Sequence, residues 1–258
     1  MNTAVAVQPL LRLGARQAPQ RRLFCMPYAG GGVAPYRLWF RTLPADIEVL
    51  ALQLPGREAR LRESPLTSIA RMVDVVRPAV EAASDLPYAI FGHSMGALIA
   101  FELAAALERR DVRPPSHLFV SARRSPEELD TRTPIHGLPE GEFLDEMQAR
   151  YGAVPDAIRS ERELLDLLLP VVRADICAVE TYSMSPETRV RCPVDVYGGV
   201  DDVHPSPAQL PRWERVAERP VRVRLFEGDH FFVNTRRDAL TADIAARWTA
   251  GVAEAERT

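Results

Sequence analysis

Apolar residues in this chain fall into short runs that alternate with stretches of helical spacing, and the two patterns predict different elements. Runs stopped by glycine, proline or charged residues are typical of buried strands. Between them, Ile69, Val73, Val76 and Val80 recur on one face and predict a helix over residues 66–84. The predicted strands are 22–26, 47–52, 88–91, 118–120, 194–197 and 221–226; further helices are predicted over 95–108 and 238–255, and residues 1–20 are interpreted as a loose leader.

Strands that alternate with helices predict an α/β fold, with a mostly parallel central sheet flanked by helices, in a single domain over residues 1–258. Residues 123–186, here called the lid insertion, break this alternation because they carry only helical or irregular patterns. We expect them to lie outside the sheet as a cap. A first helix would begin near Pro139 and a second near Glu161. Their apolar faces would be Phe143, Met147 and Tyr151 in the first, and Leu164, Leu165, Leu168, Leu169 and Val172 in the second.

Composition and charge exclude several classes of function. The 258 residues carry a net charge of -3, which gives no general attraction to nucleic acid or to an anionic membrane. All 32 basic residues are arginine, so chemistry that needs a lysine, such as Schiff-base formation, is excluded. Cys25, Cys177 and Cys192 follow no pairing pattern and predict a reduced, cytoplasmic protein. No secretory signal and no membrane span is expected.

A G-x-S-x-G motif, Gly92-His93-Ser94-Met95-Gly96, connects a predicted strand to a predicted helix. A turn this tight leaves no room for side chains at its flanks and exposes the serine oxygen. The amide of Met95 would point at the same spot from the N-terminus of the helix. We therefore predict that Ser94 is the nucleophile of a serine hydrolase with the α/β-hydrolase fold, and that His93 packs beside the turn.

A serine needs a base, and the chain has five histidines. In α/β hydrolases the acid follows a late strand and the histidine follows the last one. His230 fits this position and is the predicted base, with His204 as a weaker alternative. Asp201 and Asp202 both follow the strand 194–197, and either could orient the imidazole. The other histidines, His93, His117 and His136, lie elsewhere in this order.

A glycine-rich loop, Pro27-Tyr28-Ala29-Gly30-Gly31-Gly32, follows the first predicted strand. Such a loop can place a second backbone N–H over the nucleophile, and Ala29 is the predicted donor beside Met95. The spacing does not match the dinucleotide fingerprint G-x-G-x-x-G. No spacing typical of metal ligands is present either, so no metal-binding residues are predicted.

From about residue 22 to 250, the chain resembles the type II (editing) thioesterases of polyketide synthase and nonribosomal peptide synthetase systems. The G-x-S-x-G motif at 92–96 is shared with many hydrolases. Five other strings are more specific: PYAGGG (27–32), QLPGRE (53–58), SARRSP (121–126), LPVVRAD (169–175) and GDHFF (228–232). In that family a tryptophan follows the acid by about three helical turns. Trp213 lies eleven residues after Asp202 and favours it, but Val203 replaces the usual proline, so Asp201 stays the alternative.

The resemblance implies an enzyme that acts in trans, without a cofactor, on acyl groups held on the phosphopantetheine arm of acyl or peptidyl carrier proteins. It would clear stalled or misprimed assembly lines in antibiotic biosynthesis. Met147 and Leu168 of the lid insertion are expected to line the substrate site. Two alternatives remain open at this point: a generic carboxylesterase or acyltransferase with the same triad, and a catalytically silent fold that serves as a binding module.

Overall fold

The computed structural model describes residues 8–128, 130–152 and 159–255. Seven strands of this part of the chain form one sheet in the order β1-β3-β2-β4-β5-β6-β7, parallel throughout except between β1 and β3. The strands are β1 (Leu10–Leu13), β2 (Arg21–Met26), β3 (Ile47–Leu52), β4 (Tyr88–His93), β5 (His117–Ser121), β6 (Val194–Gly199) and β7 (Arg222–Phe226). The predicted α/β architecture is confirmed, and the ends of the six predicted strands shift by at most two residues.

Helices cover both faces of the sheet. They are α1 (Trp39–Thr42), α2 (Ile69–Ala82), α3 (Met95–Glu108), α4 (Glu140–Tyr151), α5 (Arg162–Glu180), α6 (Phe232–Thr235) and α7 (Arg237–Ala255). Short 3-10 segments lie at Ala34–Tyr36, Glu58–Arg60 and Pro207–Val216. Among the described residues, no helix is long and apolar enough to span a membrane.

Two apolar layers hold the sheet between its helices. On one face, α2 and α3 pack on the sheet through residues such as Met72, Val76 and Phe101. α3 is apolar on nearly every side and is buried almost completely, as a helix without a polar face must be. On the other face, Trp39 from α1 and Ile244 and Trp248 from α7 complete the second layer. The sheet is therefore covered on both faces where β4 leads into the turn that carries Ser94.

The prediction of a loose leader over residues 1–20 is wrong for the described part of it. Leu10–Leu13 forms β1, which pairs antiparallel with β3 at the edge of the sheet, with Leu10 opposite Leu52 and Leu13 opposite Val49. Leu13 is buried at the end of this strand, whereas Leu11, which points to the same face, is exposed. A four-residue strand whose partner is distant in sequence carries too little periodicity to be predicted. Residues 1–7 lie outside the described residues.

The lid insertion contributes α4 and α5 between β5 and β6, and its described part contains no strand. The two helices share a small apolar cluster that includes Phe143, Met147, Leu165 and Ile176. The predicted stripe on the second helix is too broad, because Leu164 is 40% exposed. α5 covers the molecule with one side only, so the part of the stripe that faces away from the cluster stays in solvent.

Candidate active site

Ser94 occupies a sharp turn between β4 and α3. Its backbone angles are φ 53° and ψ −113°, a conformation that non-glycine residues rarely adopt. The flanking glycines are required by close approach: a Cβ on Gly92 would lie 2.0 Å from the carbonyl oxygen of Gly96, and a Cβ on Gly96 would lie 2.3 Å from that of Met26. Met95 is the first residue of α3, so its amide has no acceptor within the helix.

His230 lies between Ser94 and Asp202. Its Nε2 is 3.0 Å from the Ser94 Oγ, and its Nδ1 is 2.9 Å from the Asp202 Oδ2. In the tautomer with Nδ1 protonated, the imidazole donates to the carboxylate and accepts the serine proton. The arrangement can therefore raise the nucleophilicity of Ser94 and stabilise an imidazolium.

The structure separates the two neighbouring aspartates. Asp202 is 6% exposed, and its second oxygen accepts the backbone N–H of His204 at 2.9 Å. Asp201 is exposed, and its amide donates to the Gly228 carbonyl oxygen at 3.1 Å in the loop before His230. The side chain that contacts His230 is thus that of Asp202.

The remaining histidines lie away from the Ser94 oxygen or have other partners. His93 is buried with its Nδ1 2.9 Å from the Ser121 hydroxyl; burial, and then the neighbouring His230, holds its pKa well below the ordinary value. His117 pairs with Asp195 at 2.7 Å and His136 with Glu180 at 2.6 Å. His204 lines a cavity beside Ser94, and its amide rather than its ring contacts Asp202.

The glycine-rich loop passes next to the serine. Ala29 and Ser94 line one small cavity together with His230, which places the predicted donor residue beside the nucleophile. Gly30 has φ 72°, and a Cβ there would lie 2.8 Å from a methyl group of Val172 on α5. Glycine therefore allows the loop to lie tightly under the lid insertion.

A model of the thioesterase domain matches residues 21–248, which covers most of the chain. The chain belongs to the thioesterase family. Among its relatives, the gramicidin S biosynthesis protein GrsT of Aneurinibacillus migulanus is 37% identical over 216 residues, which is 84% of each chain.

Solved thioesterases share the fold. The type II thioesterase BorB from the borrelidin biosynthetic cluster superposes with a TM-score of 0.84 at 33% identity, covering 93% of this chain and 97% of BorB. YbtT, a type II thioesterase from the yersiniabactin NRPS/PKS biosynthetic pathway, superposes with a TM-score of 0.84 at 28% identity. The match covers 94% of this chain and 99% of YbtT. This thioesterase is therefore a hydrolase with the α/β-hydrolase fold, as predicted.

A buried ion pair that sequence reasoning did not identify holds the glycine-rich loop of the thioesterase. Asp175 of α5 accepts the Gly30 amide at 2.7 Å and both terminal nitrogens of Arg57 at 2.8 Å. Arg57 also donates to the Gly31 carbonyl oxygen at 2.9 Å. Arg57 belongs to the string QLPGRE and Asp175 to the string LPVVRAD. Membership of these family-specific strings was the only indication of the two residues in the sequence. The lid insertion is thus tied directly to the loop that carries Ala29.

An apolar cavity and a polar cavity lie next to the active-site residues. An apolar cavity of about 320 Å³ extends under α4 and α5, and Met147 and Leu168 line it together with Ala29 and Phe231. A polar cavity of about 260 Å³ begins at Ser94 and His230 and is bordered by arginines. The thioesterase therefore offers a group bound at Ser94 an apolar wall on one side and a charged wall on the other.

Proposed function

We propose that this thioesterase hydrolyses acyl groups from the phosphopantetheine arm of acyl or peptidyl carrier proteins, with Ser94, His230 and Asp202 as its catalytic triad. The observation that carries the proposal is the continuous chain of contacts from Ser94 through His230 to Asp202, next to an apolar cavity of acyl size. Hydrogen-bonded groups in this order are the arrangement that acyl transfer through a serine requires.

The first half of the reaction transfers the acyl group to Ser94. The serine oxygen attacks the thioester carbonyl carbon while His230 takes its proton, and Asp202 stabilises the imidazolium. The amides of Ala29 and Met95 stabilise the negative oxygen of the tetrahedral intermediate. The carbon–sulfur bond then breaks, and His230 protonates the departing thiol of the arm.

The second half returns the enzyme to its starting state. A water molecule gives a proton to His230 and attacks the acyl-Ser94 carbonyl carbon. The ester bond to Ser94 breaks, His230 returns the proton to the serine oxygen, and a free carboxylic acid leaves. The apolar cavity under α4 and α5 accepts the acyl chain, with Met147 and Leu168 among its walls.

The carrier-bound substrate is supported by the relatives. GrsT is named for gramicidin S biosynthesis, and YbtT for a type II role in an NRPS/PKS pathway. Assembly lines of this kind hold their intermediates as thioesters, so a separate thioesterase is suited to clear stalled or misprimed carriers. Editing of this type is the role that we assign to the chain.

A hydrolysis panel tests this function. Acetyl, butyryl and longer acyl groups would be presented on a carrier protein, on a small thiol and as p-nitrophenyl oxygen esters. We expect the highest kcat/KM for the carrier-bound thioesters, and release of free acid rather than transfer to an added alcohol. Faster cleavage of the oxygen esters would instead identify a generic carboxylesterase, and transfer to the alcohol would identify an acyltransferase.

A further inference from the structure

The polar cavity beside Ser94 has a cationic wall that the hydrolysis of a neutral thioester does not require. Arg123, Arg124 and Arg132 line it together with one acidic residue, Asp130. The first two follow β5 in the string SARRSP, and the others belong to the loop that leads into α4. The same wall borders the nucleophile and its base, so any group bound there is part of the substrate or lies against it.

Asp130 neutralises only one of the three arginines. Arg132 donates to it at 2.9 and 2.7 Å, and Arg124 forms an ion pair with the same carboxylate. Burial opposes ionisation of Asp130, but the hydrogen bonds from Arg132 and Arg124 hold its pKa below the ordinary range. His204 on the opposite side adds no negative charge, and burial followed by Arg132 lowers its pKa. The cavity therefore carries a net excess of positive charge.

Arg123 is the unpaired member of this group. Its side chain is partly buried and donates no hydrogen bond to any residue that the structure describes, while its carbonyl oxygen accepts from Trp213. Burial, and then the charge of Arg124, lowers the pKa of Arg123 to about 10, which still leaves it cationic at neutral pH. A partly buried cation without a hydrogen-bonded partner costs stability, so packing of the fold does not explain the charge at this position.

Other orphaned donors belong to the same wall. The Nε atoms of Arg123 and Arg124 and the Nη1 of Arg132 are buried without an acceptor among the described residues. Buried donors in this state require a partner. Guanidinium groups bind carboxylate and phosphate oxygens through two parallel hydrogen bonds, which makes an oxyanion the matching ligand.

Resting on the proposed thioesterase function, we propose that Arg123, Arg124 and Arg132 form an anion-binding subsite beside Ser94 that receives a carboxylate of the acyl group, close to the thioester carbonyl. The phosphate of the pantetheine arm has the same chemistry but lies at the other end of the arm from the thioester sulfur. It is the second source of an anion, which the test distinguishes from the first.

Four thioesters separate these sources. Butyryl- and succinyl-N-acetylcysteamine have four-carbon acyl groups and differ by a carboxylate, whereas butyryl-pantetheine and butyryl-phosphopantetheine differ by a phosphate. We would measure kcat/KM for all four with the wild type, Arg123→Met and Arg132→Gln. Arg215→Gln is the matched control, because Arg215 is a solvent-facing arginine, paired with Glu127 at 3.0 Å, that does not line the cavity.

We expect Arg123→Met to lower the anionic-to-neutral ratio of kcat/KM about tenfold in one of the two pairs, since a charged hydrogen bond is lost. A change in the succinyl pair supports the acyl carboxylate, and a change in the phosphopantetheine pair supports the arm. The melting temperature of Arg123→Met should equal or exceed that of the wild type. Unchanged ratios in both Arg123→Met and Arg132→Gln, or an equal change in Arg215→Gln, would overturn the subsite.

Equilibrium binding of the same four compounds to Ser94→Ala, with and without Arg123→Met, needs no turnover. It therefore tests the subsite even if the enzyme hydrolyses none of them, a result that would contradict the proposed function alone. Tighter binding of one anionic member, lost with Arg123→Met, supports the subsite. Equal binding of the charged and neutral members by Ser94→Ala contradicts it.

Discussion

At the scale of single residues, the site combines a strained nucleophile with a buried base. The φ and ψ angles of Ser94 cost on the order of 1–3 kcal/mol. The neighbouring structure compensates, because the Ser94 amide donates to the Ser121 carbonyl oxygen at 2.8 Å and the glycines on either side allow close backbone contact. The turn places Ser94 in the polar cavity and in the small cavity that it shares with Ala29 and Met147, where His230 can reach the serine oxygen.

The two neighbouring aspartates should respond differently to the same substitution. Asp202→Asn removes the carboxylate that contacts His230 Nδ1, so we expect kcat to fall by about three to four orders of magnitude. Asp201→Asn is the matched control, because its side chain is exposed, and it should retain most of the activity. Steady-state hydrolysis of one thioester by both variants decides the matter. A crippled Asp201→Asn with an active Asp202→Asn would reverse the assignment.

His93 should make stability depend on pH. It is fully buried with a lowered pKa, so the native state keeps it neutral, while the unfolded chain binds a proton below about pH 6.5. Stability therefore falls as the pH falls, by up to about 1.4 kcal/mol per pH unit for this group. In urea unfolding at pH 7 and pH 5, His93→Gln should lose about 2 kcal/mol less than the wild type between the two pH values. Equal losses would show that His93 is not the responsible group.

The positions of Ser94 and His230 could be predicted because each follows a strand in a known order. Asp202 could not be separated from Asp201 by that order, since both lie on one loop and differ in burial and contacts that only the structure shows. Arg57 and Asp175 were beyond prediction for another reason. They are 118 residues apart, and nothing in either segment indicates the partner.

At the scale of elements, α5 positions the loop that carries Ala29. Asp175 is fully buried and joins the helix to Gly30 and Arg57, so its loss leaves Arg57 without a counter-charge. Asp175→Asn should lower the free energy of unfolding by about 3 kcal/mol and also reduce kcat. The matched control is Asp166→Asn on the same helix, whose exposed ion pair with Arg162 should contribute less than about 1 kcal/mol.

Urea unfolding and hydrolysis rates of both variants test this role of α5. An Asp175→Asn variant as stable and as active as Asp166→Asn would mean that the pair does not hold the loop.

The apolar cavity under α4 and α5 should select acyl length. Met147 lines it, so Met147→Trp shortens the space available and should lower kcat/KM for octanoyl thioesters about tenfold more than for propionyl ones. Leu164→Trp on the exposed side of α5 is the control and should leave the ratio unchanged. If Met147→Trp reduced short and long substrates equally, Met147 would be only a packing residue.

Long elements were easier to predict than short ones. The helical periodicity of α2 and the apolar composition of α3 are visible in the sequence and predict both helices. β1, in contrast, is recognised only by its pairing with β3. The width of the apolar stripe on α5 was overestimated. Leu165 packs in the cluster shared with α4, whereas Leu164 stays exposed.

At the scale of the whole molecule, the parallel sheet brings distant segments to one edge. The loops after β2, β4, β6 and β7 supply Ala29, Ser94, Asp202 and His230, and all four leave the carboxyl ends of their strands. Ligands of open α/β sheets bind at this edge. The lid insertion, entered after β5, contributes residues to the walls of both the apolar and the polar cavity.

The most direct test of the account is the turnover of an acyl-loaded carrier protein by Ser94→Ala compared with the wild type, in preparations shown to be folded by circular dichroism. Without the serine oxygen no acyl-enzyme can form, so the rate of acid release should fall by at least about a thousandfold, while the fold is retained. Retention of more than a few per cent of the wild-type rate in a clean preparation would contradict the assignment of Ser94 and, with it, the acyl-enzyme mechanism.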